Sequence, residues 1–293
     1  MKTPAFLASA LFAVATGERP ACGPDTPSPT MTPTADPTFA PTSGPTFPPT
    51  PAPGQWTSLG GFAHDISFDG TNVCVKNGDG AFCGFAGQPF DQWKPVATQL
   101  KDIEQVACAK GVAFVWGRSS GDLVMKTINL KTGEEHDAKM QDGESPRQFS
   151  TDGSVVCGTT NSRLFGAKVT NGALGAYSTI SEDHEIYKTA VAGEFLIVAG
   201  YDGALQATLL DAENWDTFSF DVVPVDLRAR EISTDGVDLC IVTYELDIAC
   251  SKLSSGLEKW TKVPGEWKTV AVSNNTIYGV DFKSSEIRYT YLK

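Results

Sequence analysis

The tetrapeptide Ser150-Thr151-Asp152-Gly153 occurs a second time, as Ser233-Thr234-Asp235-Gly236, and the two copies reveal how the chain is organised. A looser copy, Ile66-Ser67-Phe68-Asp69-Gly70, lies closer to the N-terminus. Each copy precedes an apolar segment that contains a cysteine. Because Asp and Gly tolerate the backbone angles of tight turns, each copy predicts a turn between two strands.

The turn glycine returns along the chain at nearly regular intervals. Its positions, with an asparagine in the last copy, are Gly70, Gly111, Gly153, Gly193, Gly236 and Asn275. The steps between them are 41, 42, 40, 43 and 39 residues. A repeat of this length is a signature of repeat proteins. The sequence therefore predicts six similar units within residues 55–293.

Each unit contains four short segments with the composition of β-strands. The first places a bulky residue before a small one, as in Val106-Ala107-Cys108. The second is apolar at successive positions, as in Leu196-Ile197-Val198, which indicates a strand covered on both faces. The third follows a hairpin turn such as Asn77-Gly78-Asp79-Gly80, and the fourth begins with an aromatic residue in most units.

The sixth unit lacks a fourth strand, whereas Gln55-Trp56-Thr57-Ser58-Leu59 has the composition of one and precedes the first unit. Joining the two closes a ring of sheets. We therefore predict an all-β fold, a six-bladed β-propeller of four-stranded antiparallel blades, closed by the N-terminal strand at residues 55–59. Trp56 is the expected buried anchor of this strand. An open β-solenoid is the competing arrangement, but it does not explain why one extra strand matches one missing strand.

The N-terminal part has a different composition. After the charged Lys2, residues 6–15 are almost entirely apolar and end in Ala13-Val14-Ala15, so residues 1–15 are expected to be a signal peptide. Between Pro20 and Pro53 the chain carries 12 of its 18 prolines, interleaved with threonine. Residues 16–54 are therefore predicted to be a disordered, extended stalk, O-glycosylated on threonine. These features predict a secreted protein, either extracellular or associated with a cell wall.

The formal net charge of −12 bears on the class of partner. Nucleic acid and anionic membranes are disfavoured, because the phosphate charges would be repelled. No segment approaches the roughly 18 apolar residues of a membrane-spanning helix, so we expect no membrane insertion.

The chain contains seven cysteines. Four of them flank hairpin turns symmetrically in the first and fifth units. They are Cys74 and Cys83, and Cys240 and Cys250. In a secreted protein this pattern predicts two cross-strand disulfides, with buried free thiols as the alternative. Cys108 and Cys157, from adjacent units, are a candidate third pair, and Cys22 in the stalk remains for an intermolecular bond.

No catalytic or metal-binding motif stands out. There is no Cys-x-x-Cys and the three histidines are scattered, so we expect neither metal nor cofactor. The motifs HExxH and the P-loop are also absent. His64-Asp65 has no nucleophile beside it and is interpreted as a surface turn. Asp69, Asp152 and Asp235 recur at one repeat position, which predicts turn capping rather than catalysis.

The order of these elements resembles the tectonin repeat of the tachylectin-like lectins. The leading tryptophan of that repeat corresponds to Trp56, Trp93, Trp215 and Trp260. Its second strand corresponds to residues 275–280, Asn-Thr-Ile-Tyr-Gly-Val. The tryptophan that the family usually carries in that strand is replaced in the other units by Val73, Phe114, Val156, Leu196 and Leu239. The resemblance implies non-catalytic recognition of surface glycans in grooves between neighbouring blades.

Four aromatic residues near the blade ends are candidates for stacking on sugar rings. They are Trp116, Tyr201, Tyr244 and Trp267. Packing between blades is the alternative interpretation for each of them. Asn274, in Asn274-Asn275-Thr276, is a predicted N-glycosylation site at a turn.

The sequence therefore favours a secreted, non-catalytic, lectin-like propeller that recognises cell-surface or cell-wall carbohydrate or a glycoprotein. One alternative is a propeller hydrolase acting on polysaccharide or a lactone, which requires titratable side chains to converge at the axis. The other alternative is an extracellular scaffold that binds proteins.

Overall fold

A computed structural model describes residues 54–139, 146–161, 163–182, 185–210, 215, 219–223 and 225–292. The predicted signal peptide, Cys22 and all but the last residue of the predicted stalk lie outside the described residues. The expectations for residues 1–53 therefore stay predictions.

The described strands group into six sheets. The chain enters with β1 (Thr57–Phe62), which belongs to the last sheet. Blade 1 comprises β2 (Asp65–Phe68), β3 (Asn72–Lys76), β4 (Ala81–Phe85) and β5 (Lys94–Val96). Blade 2 comprises β6 (Lys101–Ala109), β7 (Val112–Ser119), β8 (Asp122–Asn129) and β9 (Glu135–Lys139). Blade 3 comprises β10 (Gln148–Thr151), β11 (Val155–Thr159), β12 (Leu164–Thr170), β13 (Ala173–Leu174) and β14 (Ser178–Ser181).

The remaining blades follow the same plan. Blade 4 comprises β15 (Ile186–Ala192), β16 (Phe195–Gly200), β17 (Leu205–Leu209) and β18 (Asp221–Val222). Blade 5 comprises β19 (Ala229–Thr234), β20 (Asp238–Thr243), β21 (Ile248–Lys252) and β22 (Thr261–Val263). Blade 6 comprises β23 (Trp267–Ser273), β24 (Thr276–Asp281), β25 (Glu286–Tyr291) and β1. Two short 3₁₀ helices, Phe90–Gln92 and Leu253–Ser255, precede the outer strands of blades 1 and 5.

The arrangement of the sheets confirms the predicted six-bladed β-propeller. Strands pair antiparallel with their chain neighbours in every blade, and in blade 3 both β13 and β14 pair with β12. The first strands of successive blades contact one another all the way round, from β2 to β23 and back to β2. This closed circuit rules out the open solenoid.

The ring is closed by β1, as predicted, although the strand extends over residues 57–62 rather than 55–59. It pairs with β25, where Thr57 lies opposite Tyr289. Leu59 is 7% exposed and belongs to the apolar cluster between blades 6 and 1. Trp56 is half-buried and packs on Trp267 with ring centroids 3.9 Å apart, at the junction of blades 5 and 6. Leu59 is therefore the more deeply buried anchor, and the expectation for Trp56 was only partly correct.

Burial of the second strands follows the predicted pattern. Every residue of β11 and of β20 is buried. Each blade is packed between two others, so both faces of its second strand are covered by apolar side chains. The described core accordingly divides into six clusters, one for each junction between neighbouring blades.

The repeated aspartates cap turns, as predicted. In each copy one carboxylate oxygen accepts hydrogen bonds from the backbone amides two and three residues further on, over 2.7–3.1 Å. The residues are Asp69, Asp152 and Asp235. These bonds hold the hairpin between the first and second strands of blades 1, 3 and 5.

The same motif also joins neighbouring blades, which the sequence did not indicate. Asp69 Oδ2 accepts a 2.8 Å bond from the backbone amide of Gly111 in blade 2. Asp235 Oδ2 accepts a 2.9 Å bond from the amide of Asn274 in blade 6. Ser67 Oγ accepts from the Cys108 amide over 2.9 Å in the same way. The Ser-x-Asp-Gly motif thus fixes blades 1 and 5 to the blades that follow them.

The two predicted disulfides are present. Cys74 bonds to Cys83 and Cys240 bonds to Cys250, each pair lying directly opposite on the second and third strands of its blade.

The candidate third pair was wrong, because Cys108 and Cys157 are both buried free thiols. Cys108 packs between blades 1 and 2, whereas Cys157 packs between blades 3 and 4. The two side chains therefore lie in different junctions and cannot reach each other. Burial raises the pKa of both thiols, which keeps them in the neutral form.

Candidate ligand-binding face

The first strands of the six blades surround an axial channel. A cavity of about 290 Å³ occupies it and is lined by residues from all six of these strands. We call the end of the channel where these strands begin the mouth. Because the second strand of each blade runs back toward this end, the turns between second and third strands lie on the mouth face. The Asp-Gly turns lie on the opposite face.

One ring of polar residues lines the channel just inside the mouth. In each blade it is the residue directly before the bulky or β-branched residue that begins the repeated first segment: Asp65, Gln105, Gln148, Lys188, Glu231 and Thr269. Gln105 donates to and accepts from the backbone of Phe149 in the next blade, over 2.9 and 2.7 Å. Gln148 Oε1 accepts from the Thr189 amide over 2.7 Å. The two glutamines of the ring therefore connect neighbouring blades.

The charged members of this inner ring come from blades 1, 4 and 5. Lys188 Nζ lies 2.9 Å from Glu231 Oε1. The pKa of Asp65 is raised to about 6, chiefly by burial and also by the charge of Glu231, while the charge of Lys188 opposes the rise. Asp65 Oδ1 accepts from the Ile66 amide over 3.0 Å, while Oδ2 is buried without a partner among the described atoms. Burial acts to lower the pKa of Lys188, but Glu231 outweighs it and the pKa is raised.

A second ring lies one residue closer to the mouth. Its members are His64, Glu104, Arg147, Tyr187, Arg230 and Lys268. In blade 4 the register moves from Ile186–Gly200 directly to Lys188–Ala199, which leaves Tyr187 as a β-bulge. Arg230 and Lys268 are bulges at the same position in blades 5 and 6. Bulges redirect a side chain and are over-represented next to functional sites.

Exposed aromatic residues occupy the adjacent turns of the same three blades. Tyr201, Tyr244 and Phe282 each directly follow the second strand, and they are 48%, 53% and 41% exposed. The equivalent positions of blades 1–3 carry the polar residues Asn77, Ser120 and Thr160.

Contacts join these turn residues to one another and to residues of the second ring. The Tyr244 hydroxyl donates to the Tyr201 carbonyl over 2.8 Å. The Tyr187 and Tyr201 rings lie 5.2 Å apart. The guanidinium of Arg230 lies 5.5 Å from the Phe282 ring, a cation–π geometry. We refer to this surface, formed by Tyr187, Arg230, Lys268, Tyr201, Tyr244 and Phe282, as the aromatic–cationic face.

The turns that carry the aromatic residues are fixed by the blade that follows. The carbonyls of Gly203, Leu246 and Ser285 accept from the amides of Ala229, Trp267 and Ala63 over 2.8–2.9 Å. A second cavity of about 360 Å³ lies beside Tyr201 and is lined by residues of blade 4. The aromatic–cationic face is therefore held in place and borders two cavities.

Two of the four predicted sugar-stacking residues are buried rather than exposed on this face. Trp116 is 1% exposed and Trp267 is 2% exposed, so the expectation that they reach the surface is wrong. Trp116 belongs to the cluster between blades 2 and 3, and Trp267 to the one between blades 5 and 6. The alternative interpretation, packing between blades, applies to both. Tyr201 and Tyr244 are exposed and adjacent, and their contact with a ligand stays a prediction.

The predicted glycosylation site, Asn274, lies on the opposite face. It is exposed in the turn between β23 and β24, and its backbone has φ = 50°. Its modification stays a prediction.

Comparisons with solved structures support the fold. The chain resembles a structure from the nidogen/laminin complex, with a TM-score of 0.52, 12% identity, and coverage of 78% of this chain and 88% of that one. It resembles the β-propeller domain of Cps50 (Swd1) from Myceliophteria thermophila, with a TM-score of 0.51, 9% identity, and coverage of 78% and 82%. Human WBSCR16 gives a TM-score of 0.50, 12% identity, and coverage of 78% and 71%. At these identities the likeness concerns the fold alone.

Sequence comparisons add no family. No protein-family model matches the chain, and no curated protein sequence matches it significantly. The β-propeller is thus established, whereas the tectonin repeat has no support from these comparisons.

The described part of the chain lacks two further features. No helix there is long and apolar enough to cross a membrane. No cluster of three or more His, Cys, Asp or Glu side chains there is arranged to hold a metal ion.

Proposed function

We propose that this protein is a non-catalytic glycan-binding propeller whose ligand lies on the aromatic–cationic face. The observation that carries the proposal is the threefold repetition of one arrangement. Blades 4, 5 and 6 each combine a bulged residue on the inner strand with an exposed aromatic residue on the adjacent turn. Blades 1–3 lack the aromatic residue at this place.

The chemistry of this surface suits a carbohydrate. A pyranose ring presents a face of C–H groups, which packs on the electron-rich face of an aromatic ring. The side chains of Tyr201 and Tyr244 offer such faces together with phenol hydroxyls, and the bordering channel is lined by polar groups. The cavity of 290 Å³ is near the lower end of ligand pockets, roughly 300–1,000 Å³, and suits one sugar unit.

The proposal predicts that Tyr201→Ala with Tyr244→Ala will abolish most glycan binding. Purified protein is first applied to a glycan array, and the affinity of the best ligand is then measured by calorimetry. Loss of two stacking rings is expected to weaken binding by at least tenfold, since aromatic contacts are each worth about 0.5–1.5 kcal/mol beyond their buried area.

Phe85→Ala is the matched control. Phe85 is 61% exposed but ends β4 on the opposite face, so its removal should leave affinity unchanged. An array without signal would refute glycan binding. Equal losses in the double variant and the control would refute this location for the site.

Protein recognition is a second candidate, favoured by the fold comparison. The solved structure with a TM-score of 0.52 comes from a nidogen/laminin complex, and exposed tyrosines with arginine are also enriched in protein interfaces. A pull-down from an extracellular extract distinguishes the two functions. A partner that is retained after deglycosylation, combined with a silent array, would favour the scaffold.

A hydrolase is a third candidate, favoured by the charged residues within the channel. A carboxylic acid whose pKa is raised to about 6 beside a second carboxylate resembles the acid–base pair of glycoside hydrolases. In this candidate Asp65 is the proton donor, and Glu231, which pairs with Lys188, is the second carboxylate. Turnover of a chromogenic glycoside that disappears in Asp65→Asn would favour it over the lectin.

We also propose that the protein is secreted. The two disulfides are compatible with an oxidising compartment, and the N-terminal sequence has the composition of a signal peptide followed by a stalk.

A further inference from the structure

We propose that the ligand of the mouth is an acidic oligosaccharide whose carboxylate or sulfate is bound by Lys76, Arg230 and Lys268. This inference rests on the proposed glycan function and adds the chemical class of the ligand. Its basis is a local concentration of positive charge on a protein whose net charge is −12.

The mouth is cationic although the chain is acidic. Five Lys and Arg residues line the axial cavity: Lys76, Arg147, Lys188, Arg230 and Lys268. Three carboxylates, Asp65, Glu104 and Glu231, accompany them. Asp65, whose pKa is raised to about 6, is still mostly ionised at pH 7, so all three carboxylates are counted as negative. The surplus at the mouth is thus at least two positive charges.

The carboxylates that line the cavity do not form ion pairs with three of its cations. Glu231 pairs with Lys188 at 2.9 Å, deeper in the channel. Among the described residues, no carboxylate lies within ion-pair distance of Lys76, Arg230 or Lys268.

The mouth also contains a neutral hydrogen-bond acceptor, His64, that positions one of these cations, Lys268. Lys268 Nζ donates to His64 Nδ1 over 2.9 Å. The charge of Lys268, burial and the charge of Lys76 all lower the pKa of His64, so the imidazole is neutral at pH 7. His64 therefore orients the ammonium group of Lys268 without neutralising its positive charge. An ammonium held in this way is free to bind an anion with its remaining protons.

The positions of Arg230 and Lys268 indicate that these two cations contact a ligand. Arg230 and Lys268 are the bulged residues of blades 5 and 6, redirected from the regular strand pattern. Arg230 also lies over the Phe282 ring, so a cation and an aromatic face adjoin one another. A sugar with an acidic substituent matches this combination, because the ring packs on the aromatic face while the anion reaches the guanidinium.

A short acidic oligosaccharide fits better than a long polyanion. The mouth-face turns around the cavity carry exposed acids, including Asp79, Asp202 and Glu245, which repel an extended chain of anions. The cavity of 290 Å³ accepts a single sugar unit and its substituent.

The test uses pairs of probes that differ only in charge. Trigalacturonate and its trimethyl ester share one sugar skeleton, and a sulfated and an unsulfated galactose trisaccharide form a second pair. Titration calorimetry with the full chain is expected to show that the anionic member of at least one pair binds about tenfold tighter or more, the size of a charge-assisted hydrogen bond. The carboxylate pair and the sulfate pair identify which anion is recognised. The affinity advantage of the anionic probe should become smaller as the salt concentration is raised.

Charge variants then locate the contact. Lys76→Gln with Lys268→Gln should remove the advantage of the anionic probe, and Arg230→Gln alone should reduce it severalfold. Lys94→Gln with Lys262→Gln is the matched control, because it removes the same charge from exposed positions on outer strands. The control should retain the advantage. Thermal unfolding establishes that each variant is folded.

The outcomes separate this inference from the proposed function. If each neutral probe binds as well as its anionic partner, the acidic class is wrong and glycan recognition stands. If the control double variant loses the advantage as fully as the mouth variant, the location is wrong. If neither sugar pair binds but pentaglutamate does, through Lys76 and Lys268, an acidic peptide replaces the glycan and both proposals fail.

Discussion

Deletion of residues 16–62 is expected to open the propeller, whereas deletion of residues 16–53 is expected to leave it closed. The shorter deletion ends before the first described residue and leaves every contact of the described residues in place. The longer deletion removes β1, which supplies the outer strand of blade 6. Leu59 and Trp56 are lost with it, from two different junctions between blades.

The expected cost of the longer deletion is large. Removing buried leucine or tryptophan side chains costs about 2–5 kcal/mol each in well-packed cores, and less where the side chain is half-buried. The deletion also leaves β25 as an unpaired edge, which promotes aggregation. We expect this variant to unfold at least 10 °C lower or to form oligomers. Differential scanning calorimetry and light scattering measure the two effects.

Point variants refine the same prediction. Leu59→Ala is expected to destabilise the protein more than Trp56→Ala, because Leu59 is buried and Trp56 is half-buried. If the chain without β1 stayed monomeric and melted like the shorter deletion, closure by this strand would be wrong.

Asp65→Asn is expected to stabilise the protein above pH 6 by about 2–3 kcal/mol. The Asp65 pKa of about 6 lies above its ordinary value of 3.8, so the folded state binds the proton more tightly than the unfolded state. Asp65 therefore contributes most favourably below pH 3.8, and this contribution is lost as the pH rises through 6. A difference of about two pKa units corresponds to about 3 kcal/mol, reduced here because the residue is only half-buried.

The measurement is denaturant unfolding of both proteins between pH 3.5 and 8. The stability difference should be near zero at the acid end and should reach its full size above pH 6. Asp79→Asn, an exposed turn residue on the mouth face, is the control and should stay within about 0.5 kcal/mol at every pH. A gain that did not depend on pH, or a loss at pH 7, would contradict this assignment.

The fold was largely predictable because a repeat displays each structural requirement six times. The turn glycines defined the period, and the unmatched strand around Trp56 indicated how the ring closes. The disulfides followed from the symmetry of Cys74 and Cys83 about one hairpin. The pairing of Cys108 with Cys157 failed, because adjacency of units does not reveal which side of a blade a side chain faces.

The site was much less predictable. Trp116 is on a second strand, and the pattern of that strand already indicated burial on both sides. The rings at the mouth come from positions about 41 residues apart, and only the fold brings them together. A signal was nevertheless present, since the residue directly before the repeated first segment is polar in all six units. The bulges at Arg230 and Lys268 depend on strand register, which composition does not reveal.

Hydrogen–deuterium exchange with and without trigalacturonate tests the central claim most directly, because it reports which face of the propeller the ligand covers. The account predicts slower exchange at residues 201–204, 244–247 and 282–285, the turns of the aromatic–cationic face. It predicts unchanged exchange at the Asp-Gly turns of the opposite face, residues 69–72, 152–155 and 235–238. Protection confined to the opposite face, or to the outer strands of the blades, would contradict it.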